Sequence, residues 1–198
     1  MSAPPAPPLL LASTSPQRRA ILEQLGLPFD VVAPSYEEAV AESGADPAEL
    51  VREHAAGKAR SVADGAGERP VLGVDTVVHL GGRIFGKPAT ADEAAEMLDT
   101  LAGRTHEVVS GLALVTPGWE LVERDVTLVR FRALTPRDVG FYVAAGEWEG
   151  RAGGYAIQGL GASLVTRIEG DYLNVVGLPA ALLVRTLAER FAGVYGFG

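Results

Sequence analysis

Only two of the seventeen basic residues are lysine, Lys58 and Lys87; the other fifteen are arginine. A chain that meets its general need for positive charge with arginine keeps lysine for a particular purpose, or by accident of codon usage. The chemical purpose would be a compact ammonium on a flexible stem, which can reach one phosphate oxygen without presenting a planar fork. Taken alone, the two readings weigh about evenly. Asp75 sits inside GVDTVV, residues 73–78. A carboxylate in a valine-rich strand is costly unless a cation, a metal ion or a hydrogen-bond network receives it, so a site role outranks a carboxylate tied to a neighbouring turn. Ser13, Ser15, Arg18 and Arg19 crowd the step between an apolar run at 9–12 and the next helix. A helix N-terminus exposes unpaired N–H groups and partial positive charge, so this set could hold an anion. By itself the stretch reads first as a capped helix with solvated arginines.

Other residues are ambiguous when read singly. Glu37 and Glu38 lie in a loop, where acidic residues are usually just solvated. Gln158, between Ile157 and Gly159, could read a base edge or cap a turn, and Asp171 and Asn174 suit turns. His54, His79 and His106 have no close metal-ligand spacing and read as structural histidines. GGRIFGK at 81–87 matches the start of a phosphate-binding loop, but Pro88 replaces the required Ser or Thr and the context is a hairpin. No G-x-S-x-G nucleophile elbow is present.

The elements that must position these groups can be read from pattern. The apolar run at 9–12 suits a buried strand. Ser15 as N-cap, Pro16 in the first turn and Gly26 as a left-handed stop bound the first helix. A strand at 29–33 precedes an acidic loop, and Asp46-Pro47 opens a helix to about 62 that carries His54 and Lys58. The valine-rich strand 71–80 turns at Gly81-Gly82 into a short partner. Thr90 and Glu93 form a capping box for a helix through Leu101. Long strands at 107–116 and 120–131 flank a Pro117-Gly118 turn, and Thr135-Pro136 begins a helix to about 145. A glycine-rich segment follows, then a strand near 162–168 and a last helix at 179–191. Strands and helices mixed without a clean break imply one α/β unit with a mixed sheet at 9–198, after a flexible proline-rich leader at 1–8.

Composition bounds the function. At 198 residues and 47% hydrophobic content the chain can bury a full core. The absence of cysteine removes disulfides and thiolate chemistry. The amino end has no basic residue and no signal-like stretch, and nothing approaches a membrane-spanning length, so a soluble intracellular protein is expected. The net charge of −8 argues against a binder of nucleic-acid polymers. A small anion remains compatible if a few cations are gathered locally.

Taken together, LASTSPQRRAILEQLG, the Glu37-Glu38 loop, Lys58 in its helix, GVDTVV, FGKP, LAGRTHEVVSG, AGGYAIQGLGA and GDYLNVVGLP resemble the Maf family of nucleotide pyrophosphatases, in family order across nearly the whole chain. The resemblance implies a mixed, partly parallel central sheet flanked by helices, with a cleft, of the Maf and inosine-triphosphatase kind. It implies a cytoplasmic enzyme, a homodimer, that hydrolyses nucleoside triphosphates to the monophosphate and pyrophosphate with a divalent metal ion, Mg2+ or Mn2+. By motif position Asp75 is the expected catalytic acid/base and Lys58 and Lys87 the phosphate lysines. Ser13 and Arg18 match the phosphate site, and Glu38 with Asp75 the metal carboxylates. Thr76 and Gln158 resemble the branch acting on dTTP and UTP rather than on 7-methyl-GTP. The usual SPRR is SPQR here, so Gln17 stands where an arginine linked to substrate preference is common. A 7-methyl-GTP or broad-specificity enzyme, and a non-catalytic nucleotide-binding regulator of cell division, are the alternatives.

Overall fold

The computed structural model describes residues 6–39 and 44–197. Residues 1–5 of the expected leader lie outside the described residues, while the carbonyls of Pro7 and Pro8 accept hydrogen bonds from the Tyr195 hydroxyl and Arg69 Nε, each at 2.9 Å. Among the described residues seven strands form one sheet: β1 (Leu9–Ala12), β2 (Phe29–Val32), β3 (Val71–Leu80), β4 (Arg83–Phe85), β5 (Thr105–Thr116), β6 (Trp119–Phe131) and β7 (Val165–Glu169). The order is β2-β1-β3-β5-β6-β7, with β4 on β3. β1 runs parallel to both β2 and β3, and every other pairing is antiparallel. The mixed, partly parallel sheet expected from the sequence is therefore present. Among the described residues six α-helices accompany it: α1 (Pro16–Gln24), α2 (Pro47–Ala63), α3 (Ala91–Leu101), α4 (Pro136–Ala144), α5 (Tyr172–Val176) and α6 (Ala180–Phe191).

Strand alternation sorts the core into two faces. Leu9, Leu11, Leu72, Val74, Leu112 and Leu114 join Ile21 and Leu22 of α1 and Leu183 and Leu187 of α6. Leu10, Ala12, Val71 and Ala113 turn the other way, onto Ala55, Ala56 and Ala59 of α2. Helix α2 lies close because two strand positions carry no side chain. A Cβ on Gly73 would stand 2.1 Å from the Ala55 carbonyl oxygen, and one on Gly111 would stand 2.0 Å from that of Val51. These glycines set the distance between α2 and the sheet, and so the depth at which α2 delivers its side chains.

Three local expectations need correcting. The segment expected to be strand at 162–168 begins with a 3₁₀ stretch, Leu160–Leu164, and β7 starts only at Val165. Glu147 causes this, since its carboxylate accepts the backbone N–H groups of Leu160 and Gly161 at 3.0 and 3.3 Å. Asp171 and Asn174 are not simple turn formers. Asp171 caps α5 by accepting Leu173 N–H and also accepts Ala181 N–H, while buried Asn174 donates to the Val108 carbonyl and to Thr127 Oγ1. At α3, Thr90 accepts Glu93 N–H, but the Glu93 carboxylate reaches Ala89 N–H instead of closing the box on Thr90. No helix among the described residues is long and apolar enough to cross a membrane.

Two stability predictions follow from this packing. Gly111→Ala should lower the urea midpoint by an amount equivalent to about 1–3 kcal/mol, because its Cβ meets backbone that cannot yield. Gly140→Ala, inside α4 with nothing within 4 Å, should raise it. The second concerns His106, which is 1% exposed with Nε2 2.9 Å from the Tyr155 hydroxyl. Burial lowers its pKa to about 4, so between that value and the unfolded value of about 6.5 only the unfolded chain takes up the proton. Stability should fall as pH drops through that window, by up to about 3 kcal/mol. Urea midpoints of wild type and His106→Gln at several pH values check this, and the variant should show the flatter slope.

Candidate active site

The site opens where one edge of β3 is left uncovered. On the side away from β5, β1 pairs with Val71 and Leu72, and β4 with the stretch from Val78 to Leu80. Between them, residues 73–77 have no strand partner on that edge among the described residues. A cleft of about 730 Å³ fills the fork. Ser13, Gln17 and Arg18 line it from the β1–α1 step, Glu38 from the loop after β2, His54 and Lys58 from α2, Asp75 and Thr76 from β3, and Lys87 from the loop after β4.

Because neighbouring strand residues face opposite ways, Asp75 and Thr76 serve different sides of the sheet. Asp75 turns to α2, where Lys58 Nζ donates to its Oδ1 at 2.6 Å and His54 Nδ1 lies 3.2 Å from its Oδ2. The same Lys58 ammonium is 2.6 Å from Glu38 Oε1. Lys58 and Asp75 are each only 6% exposed, so theirs is a buried pair, with Glu38 exposed at its edge. Burial alone would push the Asp75 carboxyl up. The hydrogen bonds from His54 and Lys58, with the Lys58 and Arg18 charges, outweigh it and hold the group well below the usual carboxylate range. The His54 pKa is raised by the same bond to Asp75, against its own burial.

Thr76 turns to the α1 and α5 side. Its hydroxyl lies 2.9 Å from Ser110 Oγ and 3.4 Å from the Gly177 carbonyl oxygen. Arg18 spans the opening above it, with Nε donating to the Gly177 carbonyl at 2.9 Å, Nη1 to Ser13 Oγ at 3.1 Å and Nη2 to Thr76 Oγ1 at 3.4 Å. All three acceptors are neutral, so they orient the guanidinium without neutralising it. Burial lowers the Arg18 pKa, opposed by the more distant Asp75 and Glu38 charges. Ser15 caps α1, its hydroxyl accepting Arg18 N–H and lying 3.0 Å from Gln17 Oε1. The sequence reading of a capped helix and that of an anion-binding wall thus describe the same residues.

A smaller cavity of about 90 Å³ adjoins the cleft. Gln17, Arg18, Thr76 and Lys87 line both, whereas Gln158 lines only the smaller one. One expectation on a neighbour of the site changes: Arg19, counted as a nearby cation, is exposed and lines neither cavity. Glu38, the expected member of the acidic pair, meets Lys58.

His54 was read as structural but lies at the centre of the cluster. The missed signal was its four-residue spacing from Lys58, which puts both on one face of α2. Glu147 was also missed. With the Tyr142 hydroxyl, which accepts Ala156 N–H at 2.9 Å, it pins the loop that carries Gln158. Nothing local marks that glutamate.

The donor set fits a divalent cation. One ligand atom each from Glu38, His54 and Asp75 lies within 4.8 Å of the others. Two carboxylates already converge on one cation, the Lys58 ammonium, which leaves the group one charge short of neutrality before any proton on His54. Carboxylate oxygens suit Mg2+ or Mn2+, and an imidazole nitrogen tilts the set toward Mn2+.

Known proteins resemble this sequence over most or all of its length. A dTTP/UTP pyrophosphatase of Deinococcus radiodurans is 46% identical over all of both chains. Proteins of the same name from Gloeobacter violaceus and Symbiobacterium thermophilum are 48% and 45% identical, each over 91% of this chain and 95% and 93% of their own. A solved dITP/XTP pyrophosphatase from Mycobacterium abscessus aligns with a TM-score of 0.41 and 22% identity, over 71% of this chain and 95% of that chain. The family model described as Maf-like protein matches residues 8–190, and the chain belongs to that family.

Proposed function

We propose that the protein is a nucleoside triphosphate pyrophosphatase that hydrolyses dTTP and UTP to the monophosphate and pyrophosphate. The observation that carries the reading is the meeting, in one cleft, of Lys58, Lys87 and the incompletely neutralised Arg18 with the carboxylates of buried Asp75 and exposed Glu38. The relatives named dTTP/UTP pyrophosphatase, matched over 91% or more of this chain, support the same substrates.

Hydrolysis adds water across the bridge between the α and β phosphorus atoms. A P–O bond forms at the attacked phosphorus, the bridging bond breaks, and pyrophosphate leaves with the electron pair. A triphosphate carries about four negative charges, so both attacked and departing groups need cations. Ser13, Arg18 and the N–H groups at the start of α1 hold phosphate oxygens at one wall. Lys87, exposed at the mouth, meets the departing end. Lys58 is shared between Asp75 and Glu38 until phosphate oxygens compete for it, and its departure frees Asp75 Oδ1. Asp75 then orients the attacking water, with His54 steadying Oδ2. Its depressed pKa makes it a weak proton acceptor while Lys58 is in place, so orientation is the main part of its acid/base role. Glu38 and Asp75, with His54 as a further donor, would hold a divalent cation, which when bound would supply charge neutralisation on the phosphate oxygens. A cytoplasmic homodimer belongs to the same proposal and rests on the family alone.

Asp75→Asn should lower pyrophosphate release by about 100- to 10,000-fold while the protein still melts cooperatively. Chelation should abolish turnover, and Mn2+ or Mg2+ should restore it. In a panel of nucleotides dTTP and UTP should be favoured over CTP and 7-methyl-GTP. A triphosphate left intact after long incubation with either metal would instead make the protein a binder.

A further inference from the structure

The smaller cavity differs from the cleft in charge. Three cations line it, Arg18, Lys87 and Arg151, with the amides of Gln17 and Gln158, and among its described lining residues there is no aspartate or glutamate. In a chain of net charge −8 that is a marked local excess of hydrogen-bond donors. Arg18 is already committed to Ser13, Thr76 and Gly177, and Lys87 also faces the triphosphate cleft. Arg151 belongs to the smaller cavity alone. Its Nε is buried with no acceptor, and it enters no ion pair among the described residues. A buried donor with no partner is costly unless a ligand completes it.

The backbone holds Arg151 in place. Its own N–H donates to the Trp148 carbonyl at 3.1 Å, and two residues on Gly153 N–H donates to the Gly86 carbonyl at 3.0 Å, next to Lys87. Gly153 presses against β3, where a Cβ would stand 2.8 Å from Val78 Cγ2. Across the cavity, Gln158 rides the loop fastened by Tyr142 and Glu147. Val78, Val108, Ile157 and Val176 supply apolar walls suited to the faces of a flat ring.

We propose that Arg151 is a specificity-determining residue, donating to a carbonyl oxygen of the pyrimidine and so favouring uracil and thymine over cytosine. The inference rests on the dTTP and UTP reading above. The edge of uracil or thymine offers two carbonyl acceptors around one N–H, while cytosine replaces one acceptor with an amino donor. Gln158 can give and accept through one amide, whereas a guanidinium can only give. Cytosine would therefore set donor against donor at the buried Arg151 Nε, and such a mismatch discriminates strongly.

The test is kcat/KM for UTP, dTTP and CTP in wild type, Arg151→Met and Arg151→Gln, with calorimetric titration of UMP and CMP. The methionine keeps the stem and removes every donor; the glutamine offers an amide that can give or accept. Arg151→Met should lower kcat/KM for UTP and dTTP by about 10- to 100-fold, mainly through KM, with CTP changed far less. Arg151→Gln should also lower the UTP-to-CTP ratio, and it decides the matter if the methionine variant does not fold. UMP should lose its advantage over CMP in both. An equal loss for all three triphosphates would make Arg151 a phosphate ligand and overturn the proposal, as would an unchanged ratio. A wild-type enzyme that does not prefer UTP to CTP defeats the substrate reading and this inference with it. A wild-type preference that survives both substitutions defeats the inference alone.

Discussion

The Lys58 ammonium, held 2.6 Å from both Asp75 and Glu38, is the contact on which the site depends. Asp75 and Lys58 are buried, and either charge left alone there would be strongly destabilising. The cluster is tolerable only because α2 and β3 approach closely enough for side chains from both to meet. That approach rests on Gly73 and Gly111, whose missing Cβ atoms let the α2 backbone settle against the sheet. A core contact between a helix and two strands thus fixes an electrostatic arrangement in the cleft.

The sheet adds a second constraint. β1 enters parallel to β3 and stops after its first residues, while β4 returns antiparallel along the far part of the same edge. Neither covers the middle, where Asp75 and Thr76 lie. A carboxylate in a fully paired strand could still have met α2, but no substrate could have reached it from the edge. The fork also places the Ser15-capped start of α1 at the cleft, since α1 begins where β1 ends. Thr76 faces the opposite side from Asp75, so one dipeptide serves both the charge cluster and the Arg18 network.

The residues legible in the sequence were those whose type conflicts with their surroundings. A lone aspartate among valines and two lysines in an arginine-using chain each asked for a partner, and Asp75, Lys58 and Lys87 all line one cleft. Most elements were legible too, because caps such as Ser15, Asp46 and Thr135 and the turn at Gly81-Gly82 act locally. What escaped was set by distant contacts. His54 looks like any helix residue until Asp75, twenty-one positions away, faces it. Glu147 looks solvated until the loop at 160–161 folds onto its carboxylate, and that same contact turns an expected strand into a 3₁₀ stretch. Asn174 reads as a turn former because its partners, Val108 and Thr127, belong to strands far back in the chain.

The two cavities divide the problem that a polyanionic substrate poses to an acidic protein. At net −8 the long-range field repels a triphosphate, so affinity has to come from short-range contacts and from a neutralising counter-cation. The larger cleft mixes carboxylates with cations, which suits a substrate that brings a metal ion with it. The smaller one holds no carboxylate among its described lining residues and lies beside apolar walls, where hydrogen bonds gain strength from the exclusion of water. On the proposed reading, charge neutralisation in one cavity and base reading in the other can be tuned separately. Gln17 and Arg18 line both, and Gln17 brings no charge to that boundary. On the proposed reading, discrimination between bases then falls on the groups that face only the smaller cavity.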